Sequence, residues 1–401
     1  MMRFEKAYIP YGAYWCSPFC RWQGSFGHLH SLKFAAETAV RALAERKISP
    51  ERLDGLFLGM TVPQQFSFYG APWAAGLIGN PNITGPTISQ ACATSGKVIA
   101  AAAAEIEVGT HSAILALLCD RTSNSPHIYY PNPLGAGGIG EKEDWIWDNF
   151  GHDPFAGNAM IQTAENVAMK CGIDRTAQDE TAVLRCEQYQ DALRNEAAFL
   201  KRFMVTPLEV KDASGRKVVA TVTGDEGVFP TTADGLSKLK PVLKGGTVTY
   251  GTQTYPADGN AGVLVTSKDI AAELSRDARV AVRIVSYGQA RTDKGFMPMA
   301  NVPASSQALK RAGISMKDVK AVKTHNPFAV NDVFFARQMG IELTAINRYG
   351  SSLVWGHPQA PTGARLVMEL IEELVSAGGG YGLFTGCAAG DTALAIVVKE
   401  N

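Results

Sequence analysis

An α/β fold of stacked sheets and helices is predicted by three observations. The first 120 residues alternate short apolar runs with segments of helical period, and the same alternation returns from about residue 261. The two stretches also echo each other. In the first, Cys92 and a Ser95-Gly96 pair lead into a helix, then Gly109, then a buried strand. In the second, His357 and a Thr362-Gly363 pair lead into a helix, then Gly378 to Gly380, then a strand ending near Cys387. This pattern reads as an internal duplication of one α/β unit. It would bring two helix N-termini, one with Cys92 and one with His357, toward a shared seam.

In chain order, AYIPYGAYW (7–15) reads as a strand and turn, and LHSLKFAAETAVRALAERK (29–47) has helical periodicity. GLFLGMTV (55–62) is a short apolar strand. The Ala-rich run from Val98 to Ile106 is a buried helix, with Gly109 as its stop. SAILALLCD (112–120) is a continuous apolar run of strand length. Residues 121–160 change character, being rich in Gly, Pro, Asn and aromatics without clear periodicity. A connection that long is usually functional or covers a site. Two helices follow, AENVAMKCG (164–172) and 175–199, the second capped by Asp174. Residues 205–260 are polar and turn-rich. Then come strands in AGVLVTS and ARVAVRIVSYGQA, a helix in SSQALKRAG and a strand in VKAVKTHN.

The chain has 401 residues, 46% hydrophobic and 19% charged, which fits a globular protein of two or three domains or one large layered one. A formal net charge of +0 steers it toward neither nucleic acid nor an anionic membrane. No segment is long and apolar enough to span a bilayer, and the MMRFEKAYIPYGAYW start lacks the apolar core of a signal peptide, so a cytoplasmic location is expected. Seven cysteines in a large chain without an export signal argue against a disulfide framework. Cys16 and Cys20 are spaced like half a zinc site, but no second ligand pair stands at suitable spacing nearby.

Cys92 lies at or just before a helix N-terminus, where unpaired N–H groups and the helix dipole stabilise an anion. A thiol there is expected to have a lowered pKa and to act as a nucleophile. The alternative is a small buried hydrophobe. Three further residues join it. His325 lies at the expected end of a strand, where α/β sheets bind ligands. His357 is fixed between Gly356 and Pro358, and Cys387 lies near the end of the second unit's strand. Cysteine plus histidine makes a nucleophile and its base. Two of each could bind zinc, but the four are scattered and none has the usual ligand spacing, so no metal is expected.

Five blocks carry a family resemblance over nearly the whole chain. SQACATSGKVIAAAAAEI resembles the segment around the nucleophile of the thiolases. NAMIQTAENVAMKCGIDRTAQDETAV, the run from DEGVFP to DGNAGVLVTS, NRYGSSLVWGHPQAPTGAR and FTGCAAGDTALAIVV are similar to further thiolase motifs, in family order and at family spacing. The resemblance implies the thiolase fold, a five-layered αβαβα arrangement of two similar halves with an inserted loop domain. The halves would be 1–120 with 245–270, and 271–401, around a loop domain at 121–244. It implies an acyltransferase working on a 3-oxoacyl-CoA, with coenzyme A as co-substrate and no metal in this chain. Cys92 would accept the acyl group, and His357 would activate it and help bind the thioester oxygen. Cys387 would move the proton at the α-carbon, and His325 would hold an oxyanion-hole water. Thr254, Met160 and Ala389 are carried over as coenzyme-A-binding positions. Thr254 would offer a hydroxyl to the pantetheine, and the backbone N–H groups of Cys92 and near Ala389 would form an oxyanion hole. A homodimer or larger oligomer is implied.

The chain also departs from the common thiolase pattern. His325-Asn326-Pro327-Phe328 stands where Asn-Glu-Ala-Phe is usual. The second cysteine motif reads Cys387-Ala388-Ala389, whose extra Cβ is expected to crowd the site. Ser89 replaces an Asn, and Gln359 follows the Gly-His-Pro motif where Leu is frequent. This set of departures resembles the thiolases that work with a small zinc-ribbon and OB-fold partner protein. Among them it is most similar to the benzoylsuccinyl-CoA thiolases of anaerobic toluene breakdown. Tyr129, Tyr130, Trp145, Trp147, Phe150 and Phe155 either pack the loop against the body or form an acyl pocket or partner surface. A free carboxylate on the substrate would need a cation, and Arg121, Arg291, Lys294 and Arg348 are the candidates. The alternatives are a related condensing synthase and a non-catalytic carrier or scaffold that binds acyl-CoA. Retention of Cys92, His357 and Cys387 speaks against both.

Overall fold

In the computed structural model, which describes residues 3–401, alternation of side chains along the strands builds the layers. Strands β1 (Tyr8–Pro10), β2 (Gly55–Gly59), β3 (Ala113–Arg121) and β4 (Ala257–Thr266) belong to one half. Strands β5 (Ala281–Arg291), β6 (Val319–His325), β7 (Gly380–Ala388) and β8 (Thr392–Glu400) belong to the other. Along β3, Ile114, Ala116 and Leu118 join one core while Leu115, Leu117 and Cys119 join another. Along β8, Leu394, Ile396 and Val398 share that first core, and Ala393, Ala395 and Val397 face a third. A strand buried on both faces needs cover on both, and helices supply it.

The main helices are α1 (Ser31–Glu45), α2 (Thr94–Val108), α3 (Met160–Cys171), α4 (Arg175–Ala197), α5 (Asn301–Ala312), α6 (Ala329–Met339) and α7 (Thr362–Ser376). Helix α1 covers the outer face of β3 and β4, and α5 covers the outer face of β5 and β8. Helices α2 and α7 lie between the two halves and touch each other. Val98, Ile99 and Ile106 of α2 and Leu366, Leu370 and Ile371 of α7 fill this central core. Each such side chain contributes roughly 1.5–3 kcal/mol by leaving water. The result is five layers, αβαβα, as expected.

The duplication is visible in the pairing. β2 and β3 are parallel and β3 and β4 antiparallel, while β6 and β7 are parallel and β7 and β8 antiparallel. In each half the central helix, α2 or α7, connects the parallel pair. β1 pairs with β4 through Tyr8 and Thr266, and with β5 through three residues, so one eleven-stranded sheet runs across both halves.

Local stops behave as the sequence dictates. Gly109 ends α2 with φ 82°, a left-handed conformation open to glycine. Asp174 caps α4 by accepting the Ala177 N–H at 2.9 Å. The irregular stretches hold more structure than expected. Residues 121–160 contain an antiparallel hairpin, His127–Tyr130 with Glu141–Asp144, and a short helix, Trp147–Gly151. Residues 205–260 contain a second hairpin, Leu208–Lys211 with Val218–Val222, and the start of β4. Helix α3 starts at Met160 rather than at 164. No helix among the described residues is long and apolar enough to cross a membrane.

Candidate active site

The N-terminal ends of α2 and α7 abut. A Cβ on Gly363 would lie 2.7 Å from the Phe384 ring and 3.1 Å from Ser95 Cβ, so only glycine lets the two ends approach this closely. Ser95 Oγ donates to the carbonyl of Ala360, which ties the α2 end to the 357–361 loop. Asp120, at the end of β3, accepts from Thr61 N, Val62 N and Ala360 N, each at 2.8 Å. The seam expected from the duplication is therefore present, with Cys92 on one side and His357 on the other.

Cys92 sits two residues before α2, in a turn where Ala91 has φ 43° and Thr94 Oγ1 accepts the Gln90 N–H at 2.8 Å. Its thiol donates to Gln359 Oε1 at 3.3 Å, and the backbone N–H groups of Ala389 and of Cys92 itself point at the sulfur. The expectation of a lowered thiol pKa is corrected here. Burial pushes the Cys92 thiol up to about 12, against those two N–H groups, and Asp120 adds to the rise. The two N–H donors do not offset desolvation, and no cation stands among the groups acting on the sulfur. Cys92 is therefore a thiol at neutral pH.

His325 is the last residue of β6, and its ring stacks on His357 at 4.0 Å between centroids. Nδ1 of His357 bonds Thr362 Oγ1 at 2.6 Å, and its backbone N–H donates to Tyr255 O at 2.9 Å. The Nε2 atoms of both rings are buried without a partner among the described residues. Ligand atoms of Cys92, His325 and His357 lie within 4.8 Å of one another. Burial lowers His325 to about 3, and burial with His325 alongside holds His357 well below its ordinary value, so both rings are neutral. Cys387 Sγ accepts from Asn331 Nδ2 at 3.2 Å, and burial, with Cys92 nearby, pushes its thiol up.

A buried network fixes the tautomer of His325. Asn326 Nδ2 donates to Asp332 Oδ2 at 2.6 Å, which turns its Oδ1 toward Ser352. Ser352 Oγ donates to that oxygen at 3.1 Å, so at 2.9 Å it accepts from His325 Nδ1–H. His325 Nε2 then faces the site as a lone pair, an acceptor. Asp332 is itself held by Arg185 Nε at 2.8 Å, both side chains fully buried. Gln359, Ser352, Asn331, Asp332, Thr362 and Asp120 were not singled out from sequence for these contacts. Asn331 and Asp332 follow shortly after His325-Asn326-Pro327-Phe328, but nothing in their spacing marks them.

The other expected residues divide. Thr254 Oγ1 donates to Ser352 O, and its backbone N–H donates to Pro327 O at 2.7 Å, so the 252–255 segment is clamped beside His325. Met160 opens α3 and packs against the core that holds Cys387. Ala389 is exposed, with its backbone N–H turned toward the Cys92 sulfur. Tyr129 (52%), Trp147 (51%) and Phe155 (57%) are exposed, while Trp145 Nε1 donates to Thr61 O at 2.9 Å. Among the cations, Arg121 donates to Leu29 O and Asn124 O, and Arg348 lies 3.9 Å from Glu373. Arg291 and Lys294 both stand over the ring of Phe155. Cys16 and Cys20 are free, buried thiols. Scatter in sequence did not keep Cys92, His325 and His357 apart, so that argument against a metal is withdrawn.

Comparison with known proteins places this geometry. Residues 15–269 match the family model described as "Thiolase, N-terminal domain", and residues 278–400 the one described as "Thiolase, C-terminal domain". The chain is 30% identical over 391 residues to the mitochondrial 3-ketoacyl-CoA thiolase of Homo sapiens, covering 96% of each chain. The crystal structure of the human mitochondrial 3-ketoacyl-CoA thiolase in complex with CoA superposes with a TM-score of 0.88 at 28% identity, covering 100% of this chain and 99% of that one. The crystal structure of the Bacillus anthracis acetyl-CoA acetyltransferase gives a TM-score of 0.90 at 26% identity, covering 100% of both.

Proposed function

The chain belongs to the thiolase family of acyl-CoA acyltransferases, and from that premise we propose that it cleaves a 3-oxoacyl-CoA through an acyl group carried on Cys92. The observation that carries this reading is the convergence of the Cys92 sulfur with one ring nitrogen from each of two neutral histidines, whose Nε2 atoms are buried and unpartnered among the described residues. His357 Nε2 takes the thiol proton as the sulfur attacks the ketone carbon, so charge develops only when substrate is present. The C2–C3 bond then breaks. Its electrons form the enolate of the departing acyl-CoA, which Cys387 protonates. Coenzyme A next attacks the acyl-Cys92 thioester, with Cys387 taking its proton; the sulfur of Cys92 leaves, takes its proton back from His357, and the second acyl-CoA is released. The same residues run the reverse condensation.

Fixed donors replace solvent in both halves of the reaction. The N–H groups of Cys92 and Ala389, aimed at the sulfur, support an oxyanion formed on a carbon bonded to it. His325, an acceptor at Nε2, holds a water whose remaining hydrogen meets the thioester oxygen of the bound acyl-CoA. Thr254, Met160 and Ala389 lie along the coenzyme A path in this reading.

For substrate, we favour benzoylsuccinyl-CoA, giving benzoyl-CoA and succinyl-CoA. His325-Asn326-Pro327-Phe328 and the exposed aromatic hairpin support this choice, the hairpin as a surface for a small zinc-ribbon and OB-fold partner. The test is intact-protein mass spectrometry after mixing with aliphatic and aromatic 3-oxoacyl-CoAs without free coenzyme A. An acyl adduct mapped to Cys92 is the expected result, and its mass names the acyl class. A folded, coenzyme-A-binding protein that gains no adduct from any of them, partner present, overturns the reading.

A further inference from the structure

Asn331 is fully buried in the first turn of α6, and its side chain makes one hydrogen bond among the described residues. Nδ2 donates to Cys387 Sγ at 3.2 Å, while Oδ1 is buried without a partner. A buried amide kept for structure alone is ordinarily paired at both ends, because each unmet polar group costs free energy. This amide has the sulfur as its sole partner. The chain fixes the turn that carries it. Only Asn326, Pro327 and Phe328 separate β6 from α6, and His325 of β6 pairs with Gly386 of β7, one residue before Cys387. The next residue, Asp332, accepts from Arg185 Nε, Thr324 Oγ1 and Asn326 Nδ2, and the Asn331 N–H donates to Phe328 O at 3.0 Å.

The sulfur has need of a donor. Cys387 is fully buried in a core with Phe328, Val330, Leu383, Ala393 and Ala395. Burial, Cys92 and Asp332 all oppose an anion there, whereas the Asn331 amide and the backbone N–H of Cys387 favour one. In the proposed reaction the S–H bond of Cys387 breaks, its electron pair stays on sulfur, and a C–H bond forms at the enolate carbon. A thiolate then stands at this place until coenzyme A supplies a proton. A thiol is a weak acceptor and an ionised one a stronger acceptor, so the N–H···S bond tightens as the charge forms. An interaction that is stronger in the charged state than at rest accelerates the step that creates the charge. With the amide donating, the hydrogen of the thiol also stays free for the enolate.

We infer that Asn331 is a positioning residue for proton transfer, its Nδ2–H aiming the Cys387 sulfur and holding the thiolate that persists between the two halves of the reaction. The inference rests on the thiolase reading and adds to it the side chain through which a thiol in an apolar core serves as acid and base.

The experiment follows hydrogen exchange at the α-carbon of acetyl-CoA and of succinyl-CoA in D2O by NMR, beside alkylation of Cys92 by iodoacetamide. Exchange needs Cys387 but breaks no carbon–carbon bond. Asn331→Leu removes the donor at similar volume. Exchange should fall about 10- to 100-fold, as for loss of a hydrogen bond to a charged group, while Cys92 alkylation keeps its wild-type rate. Should Asn331→Leu fail to fold, the smaller Asn331→Ala decides, with the same expected split. Exchange at the wild-type rate in the folded variant overturns the inference and leaves the thiolase reading intact. Exchange and Cys92 alkylation altered together would make the amide a support for the shape of the whole site, which also overturns it. If the wild type exchanges hydrogen in neither acyl-CoA, the acid–base role of Cys387 in the thiolase reading fails, and this inference with it.

Discussion

At the scale of the residue, the site is uncharged at rest, and this governs its response to pH. With the Cys92 thiol near 12, the thiolate fraction rises about tenfold per pH unit across the whole range below that value. Alkylation of Cys92 by iodoacetamide should therefore climb steadily from pH 7 to 10. A plateau near pH 8.5, as for a free thiol, would contradict the burial argument. His357 is neutral because its pKa lies below the ordinary value, so its function as base is present at neutral pH and is lost only as pH falls well below 6.5. Cys92→Ser should abolish turnover while acyl-CoA binding, followed by calorimetry, persists. His325→Ala should cost about 2–4 kcal/mol of transition-state stabilisation, read as kcat/KM, and a near-neutral effect would reduce His325 to packing. Cys92, His325, His357 and Cys387 stood out in the sequence because each sits in a motif. Their protonation states were not, since burial and the Ser352–Asn326–Asp332 network join parts of the chain with no shared spacing.

At the scale of the element, the close approach of α2 and α7 depends on missing side chains. Gly363→Ala would place a Cβ 2.7 Å from Phe384, and the seam would have to open. We expect a loss of about 1–3 kcal/mol in denaturant unfolding, with activity falling further than stability because Cys92 and His357 are carried on the two sides. Behind the site, Asp332→Ala on α6 leaves Arg185 of α4 buried without its partner. About 3–5 kcal/mol should be lost, measured in the same way, and Asp332→Asn should recover part of it. Central helices and strands were legible from sequence because two buried faces force continuous apolar runs. The two hairpins between β3 and β4 were not. Glu141–Asp144 reads EKED and is mostly solvated, so no alternation marks it as a strand.

At the scale of the whole molecule, the two halves share a central core that neither can close alone. Helix α7 packs on α2 and β4 of the first half as well as on its own sheet, and Leu394 of β8 lies against Gly96 of α2. A fragment of residues 271–401 should accordingly remain unfolded or aggregate, and the intact chain should lose both halves in one calorimetric transition. Two separated transitions would contradict the shared core. The duplication predicted this union from pattern alone, but the strand joining the halves could not be foreseen. Three residues at Tyr8–Pro10 look the same whether they pair with one sheet or bridge two. Their position has a consequence during synthesis. Tyr8 leaves the ribosome early, yet its partners run from Thr266 onward. At 5–20 residues per second, that strand waits roughly 10–50 s for its neighbours. Tyr8 and Ile9 are apolar through all of that time, and a nascent chain held that long with an unpaired apolar edge is one that a chaperone has time to find.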